Sequence, residues 1–134
     1  MTQAQIPPRM SARGPMPDGH WIVAEPSPRW VRNFFGGETI ADSRRVLLVR
    51  ESRRLPAYYF PRADVRMDLL RPSDSETHCP YKGTASYWSV DTGRAEHRDI
   101  VWTYRFPLPE SQKIAGLACF YTEKVDLFVD GELQ

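Results

Sequence analysis

Thr77-His78-Cys79-Pro80-Tyr81-Lys82-Gly83-Thr84-Ala85-Ser86-Tyr87-Trp88-Ser89-Val90 decides how the chain folds. Pro80-Tyr81-Lys82-Gly83 reads as a tight turn, because proline presets φ early in it and glycine supplies a positive φ late. Beyond the turn the residues alternate. Trp88 and Val90 point one way, Tyr87 and Ser89 the other, which is the period of a strand. A thiol, an imidazole, a lysine, two phenols and an indole fall within this turn and its flanks, the densest chemistry in the chain.

The same grammar holds outward in both directions. Toward the N-terminus, His20–Ala24 is short, apolar and closed by Pro26 and Pro28, as an edge strand tolerates. Trp30–Phe35 and Glu38–Ala41 flank Gly36-Gly37, a hairpin signal. Val46–Val49 and Tyr58–Phe60 are further extended runs. Asp42–Arg45 reads as a turn, Glu51–Arg54 as a charged loop and Pro61–Asp64 as one helical turn. From Val65 the sequence alternates, with Val65, Met67 and Leu69 on one face and Arg66 and Asp68 on the other. Arg71–Glu76 reads as a polar loop.

Toward the C-terminus, Asp91-Thr92-Gly93 turns the chain, and Ile100, Trp102 and Tyr104 share a face of the next strand. Ile114–Tyr121 fits helical spacing or a strand, and a final hairpin with the alternating Val125, Leu127 and Val129 is the reading adopted. Many short strands at close intervals predict a mainly β fold, a single compact domain of short antiparallel strands over residues 19–134. Residues 1–18, rich in proline and without apolar period, are expected to form a flexible arm.

Composition narrows the functional classes. The 134 residues carry a net charge of +1, so no strong field argues for nucleic acid or an anionic membrane surface. No apolar window is long enough for a transmembrane helix, and the first ten residues lack a signal peptide's apolar core. The expected compartment is the cytoplasm. Two cysteines, Cys79 and Cys119, are too few for a disulfide framework. His78, Cys79, His97 and Cys119 show no metal-ligand spacing, so neither a metal nor a cofactor is expected. His78 also makes a poor base for Cys79, since neighbours in an extended segment point apart.

Several long segments together resemble an uncharacterised bacterial family, domain of unknown function 427. They are Phe35–Arg45, Tyr59-Phe60-Pro61 with Asp64–Asp68, Thr77–Gly83, Tyr87–Val90, Ile114-Ala115-Gly116, and Phe120-Tyr121 with Val125-Asp126. The resemblance runs from about His20 to Glu132. It implies a compact β structure like the β-tent of the Mss4-like group. Zinc-binding members of that wider group use Cys-x-x-Cys knuckles, which this chain lacks, so the expected form is without zinc. Some catalogues attach a nucleotidyltransferase label to the family. Thr122 departs from the pattern, where an aromatic residue is expected.

Lys82 beside Gly83 can hold an anionic group at the turn. Trp88 and Trp102 on neighbouring strands can wall a pocket that stacks a base, a sugar or another ring. The leading expectation is therefore small-molecule binding, with an anionic or nucleotide-like ligand held by Tyr81, Lys82, Trp88, Trp102 and Tyr104 and its charge recognised by Arg66. One alternative is a Mg²⁺-dependent nucleotidyltransferase drawing on Asp68. The other is a protein-interaction module acting through a sheet edge and residues 1–18. The oligomeric state is not written in the sequence.

Overall fold

Short β-branched and aromatic runs, closed off by Gly, Pro and Asp turns, leave little room for helix. In a computed structural model that describes residues 19–134, eleven strands form two antiparallel sheets and the only helical pieces among the described residues are short 3₁₀ turns. The strands are β1 (Ile22–Pro26), β2 (Val31–Phe35), β3 (Glu38–Ser43), β4 (Leu47–Glu51), β5 (Ala57–Phe60) and β6 (Leu70–Cys79). They continue with β7 (Gly83–Asp91), β8 (Glu96–Thr103), β9 (Ala118–Phe120), β10 (Asp126–Val129) and β11 (Glu132–Leu133). The larger sheet runs β1-β4-β5-β9-β8-β7-β6 and the smaller β11-β10-β2-β3. The mainly β expectation is met. The expected arm at residues 1–18 lies outside the described residues. No helix among the described residues is long and apolar enough to cross a membrane.

Each face of the larger sheet has its own core. One cluster joins both sheets, with Val31 and Ile40 from the smaller and Phe60, Trp88, Val90 and Ile100 from the larger. The other lies on the opposite face of the larger sheet. It gathers Ile22, Val49, Tyr59, Tyr87, Tyr104 and Cys119, and Ile114 at the end of the 3₁₀ turn Pro109–Ile114 packs against them. Gly36 and Gly37, at φ 55 and 80, close the β2–β3 hairpin. Two positive φ values in a two-residue loop are what the twist of a hairpin favours.

Four expectations need correction. Arg71–Glu76 is not a loop but part of β6, an edge strand whose Pro72 and exposed polar side chains suit a strand paired on one side. Val65–Leu69 is not a strand. Val65 makes a single bridge to Ala41 and Met67–Leu69 is a 3₁₀ turn, although Met67 and Leu69 do pack inward and Arg66 and Asp68 stay exposed. Ile100 does not share a face with Trp102. A bulge in β8, with Asp99 at φ 55, breaks the alternation and sends Ile100 into the inter-sheet core. Finally, Ala118–Phe120 is a strand as adopted, but it pairs with β5 and β8 rather than with β10. The terminal hairpin is instead β10 with β11.

Candidate functional site

Strand register assembles the site. Across the larger sheet Tyr87 stands opposite Trp102, Trp102 opposite Cys119, Cys119 opposite Tyr59 and Tyr59 opposite Leu47. Directly opposed residues project to the same face, so one row of side chains crosses five strands. Cys119 is the small member, and it is buried. The rings on either side close over it, with the Trp102 indole N–H donating to the Tyr59 hydroxyl at 3.4 Å. Above this row, and bounded by Leu55, Thr77, Tyr104, Tyr121 and Glu123, opens a cleft of about 530 Å³. That size falls within the range of about 300–1,000 Å³ typical of small-molecule sites.

One end of the cleft is charged. Lys82, in the turn between β6 and β7, and Glu51, the last residue of β4, are only 6% and 8% exposed. The Lys82 ammonium donates to Glu51 Oε1 at 2.6 Å. Glu51 Oε2 lies 2.8 Å from His20 Nε2 and 3.7 Å from Arg54 Nε. The His20 ring in turn stacks on Tyr81 with centroids 4.0 Å apart, and its Nδ1 lies 3.0 Å from the Ser52 hydroxyl. One carboxylate is thus shared by two permanent cations. A lysine ammonium carries three donors, and among the described residues the Lys82 side chain bonds Glu51 alone while lining the cleft.

The other end is hydroxylic. Thr77 Oγ1 and the Tyr87 hydroxyl are 2.8 Å apart, and the Tyr87 and Tyr121 hydroxyls 3.3 Å apart. Tyr121 also meets Trp102 with ring centroids 4.6 Å apart and planes tilted by 51°. Burial pushes the Tyr59 and Tyr104 hydroxyls and the Cys119 thiol well above their ordinary pKa values. Tyr121 is pushed up to about 12, first by burial and then by its bond to Tyr87. The phenols are therefore neutral donors and acceptors at physiological pH.

Of the residues expected to form the site, Lys82, Trp102 and Tyr104 line this cleft. Tyr81 sits behind it, with its ring on His20 and its carbonyl accepting from the buried Ser111 hydroxyl. Trp88 faces the other way, 4% exposed in the inter-sheet core beneath the Arg62 guanidinium. It cannot share a wall with Trp102, because adjacent positions on paired strands project to opposite faces. Arg66 also lies elsewhere. It borders a separate depression with Thr39, Asp42 and Asp64, and its guanidinium grips Asp68 at 2.9 and 2.8 Å. The arginine that lines the cleft is Arg54 instead. Among the described residues, no group of three or more His, Cys, Asp or Glu side chains is placed to share a metal ion.

Glu51, Arg54, His20, Tyr59 and Thr77 were not singled out from the sequence. Glu51 carried a readable signal. Val49 points inward and Arg50 outward, so the alternation of β4 continues inward to Glu51. Arg54 lies three residues from Glu51 in the same charged segment, whereas His20 carried no signal, because it reaches Glu51 from 31 residues away.

No curated protein matches the chain. A family model with the short name NTP_transf_9, described as a domain of unknown function (DUF427), matches residues 23–131. That span runs from β1 through the turn after β10 and takes in every cleft residue named here except His20. The chain belongs to the DUF427 family.

Proposed function

We propose that the protein binds a small organic anion in the aromatic cleft, with the anionic group held at the Lys82–Arg54 end and the ring of the ligand against Trp102. The observation that carries this reading is a single buried carboxylate, Glu51, shared by Lys82 and Arg54. Among the described residues, two cations at this end of the cleft share one carboxylate. A buried ion pair is a weak source of stability, and its presence at the floor of a cleft favours a recognition role. Glu51 is already engaged by its neighbours, which makes it a poor general base. Lys82 is buried and paired with that carboxylate at 2.6 Å, which leaves it poorly placed to attack a ligand. Binding is therefore favoured over proton abstraction or covalent capture.

The test is a thermal-shift titration with inorganic phosphate, benzoate, AMP and glucose 6-phosphate. A ligand bound only by the folded state stabilises it by about 2.7 kcal/mol at a hundred times its Kd. At least one anion is expected to raise the melting temperature, and Arg54→Ala is expected to weaken that effect without lowering the melting temperature of the free protein, since Arg54 is an exposed side chain. Silence across the panel, or shifts indifferent to both Arg54→Ala and Lys82→Met, would overturn the proposal. Mg²⁺-dependent turnover of ATP that is lost in Asp68→Ala would instead support nucleotidyl transfer.

A further inference from the structure

The end of the cleft opposite Lys82 constrains what the anion is attached to. Thr77, Tyr87 and Tyr121 form a chain of three hydroxyls, linked at 2.8 and 3.3 Å. In each link either oxygen can be the donor. Such a chain can reverse its polarity to match a ligand group that both donates and accepts, which is the property of an alcohol and not of a carbonyl or a ring nitrogen. The aromatic surfaces point the same way. Trp102 meets Tyr121 at 51° and Tyr59 at 89°, so the three rings form a wedge with no two faces parallel. Neither ring stands parallel to the Trp102 indole, the near-parallel pair in the cleft being Tyr87 and Tyr121 with planes 12° and centroids 6.5 Å apart, and an indole face that lines the cleft can pack on the C–H face of a puckered ring. Charge orders the two ends. Lys82 and Arg54 mark one, and Glu123 lines the cleft with Tyr121 at the other.

We infer that the ligand is an anionic monosaccharide, carrying a phosphate or a carboxylate at one end and hydroxyls at the other. Its charge lies against Lys82 and Arg54, its ring on Trp102, and its hydroxyls on the Thr77–Tyr87–Tyr121 chain. This inference rests on the anion-binding reading of the same cleft.

Isothermal titration calorimetry separates the two. The probes are glucose 6-phosphate and glucuronate as sugar anions, inorganic phosphate as an anion without a ring, and benzoate as a planar anion. One sugar anion is expected to bind at least about tenfold more tightly than phosphate and benzoate, the worth of one or two added hydrogen bonds. Which of the two wins tells phosphate from carboxylate. Tyr121→Phe and Tyr87→Phe remove only a hydroxyl and keep the ring, and each is expected to weaken the sugar anion by about tenfold while leaving phosphate binding unchanged. Arg54→Ala should weaken every probe. If phosphate or benzoate binds as tightly as both sugar anions, or if both Tyr→Phe variants bind the sugar anion normally, the sugar inference fails and the anion site stands. If no probe binds, both fail.

Discussion

Glu51 is the residue on which the cleft depends. Its side chain is 7% exposed, and its carboxylate is met by Lys82 at 2.6 Å, His20 at 2.8 Å and Arg54 at 3.7 Å. Removing one partner of such a pair strands the other in a medium that solvates it poorly. Lys82→Met and Glu51→Gln are therefore each expected to cost about 3–5 kcal/mol of stability, the first leaving the Glu51 carboxylate and the second the Lys82 ammonium buried without its partner. The double variant should recover a substantial part of the sum, on the order of 1–3 kcal/mol, as contacting residues do. Urea unfolding of the four proteins measures this. A double-variant loss equal to the sum of the singles would mean the two side chains do not act as a unit. The sequence made Lys82 visible through its turn. It did not make its burial visible, because the buried partner lies 31 residues away and only the fold brings the two together.

At the scale of elements, the turn between β6 and β7 positions Lys82. Its backbone is held on both sides, with the Lys82 N–H donating to Cys79 O at 3.3 Å and the Leu108 N–H donating to Lys82 O at 2.8 Å. Gly83 makes this possible. It sits at φ +113, and a Cβ there would lie 3.4 Å from Leu108 N and 3.6 Å from Phe106 O. Gly83→Ala is expected to lose about 1–3 kcal/mol from backbone strain, and more than Gly93→Ala, because the φ of +113 at Gly83 lies further than the +86 at Gly93 from the left-handed region that an L-residue can adopt. Thermal unfolding of both variants checks the order. Equal losses would show that the β6–β7 turn relaxes its φ at Gly83 without added cost. The turns and alternating strands around this point were legible because each is set by residues in contact along the chain. β6 was not. Its Arg71–Glu76 half is polar and contains proline, and its strand character comes wholly from pairing with β7. Ile100 was misplaced for a related reason, since the bulge at Asp99 is written in the pairing and not in the apolar pattern. The row from Tyr87 to Tyr59 was equally invisible, because its register spans strands that are not adjacent in sequence.

For the whole molecule, the two faces of the larger sheet respond to opposite ends of the pH scale. On the inter-sheet side, Asp64 ties its 3₁₀ turn to the β3–β4 connection, accepting from Arg45 at 2.9 and 3.1 Å and from the Ser43 hydroxyl at 2.7 Å. The Arg45 bond, first, and then that of Ser43 hold its pKa below the ordinary carboxylate value against the opposing effect of burial. The unfolded chain thus takes up this proton at higher pH than the folded one, so the contribution of Asp64 is complete above about pH 4 and lost as pH falls below it. On the cleft side the tyrosines are raised. Tyr121 moves from 10.0 to about 12, and Tyr59 and Tyr104 also move up through burial. Here the unfolded chain releases its protons first, so the stability is complete below about pH 10 and falls as pH rises toward 12. The melting temperature is therefore expected to hold a plateau between these limbs. Asp64→Asn should make the acid limb shallower and leave the alkaline one, while Tyr121→Phe should make the alkaline limb shallower, with Tyr59 and Tyr104 supplying the remainder, and leave the acid one. Thermal unfolding followed from pH 2.5 to 11.5 separates the two. A single substitution that altered both limbs alike would show that the faces of the sheet titrate as one system, and the cleft would then have to be treated as coupled to the inter-sheet core.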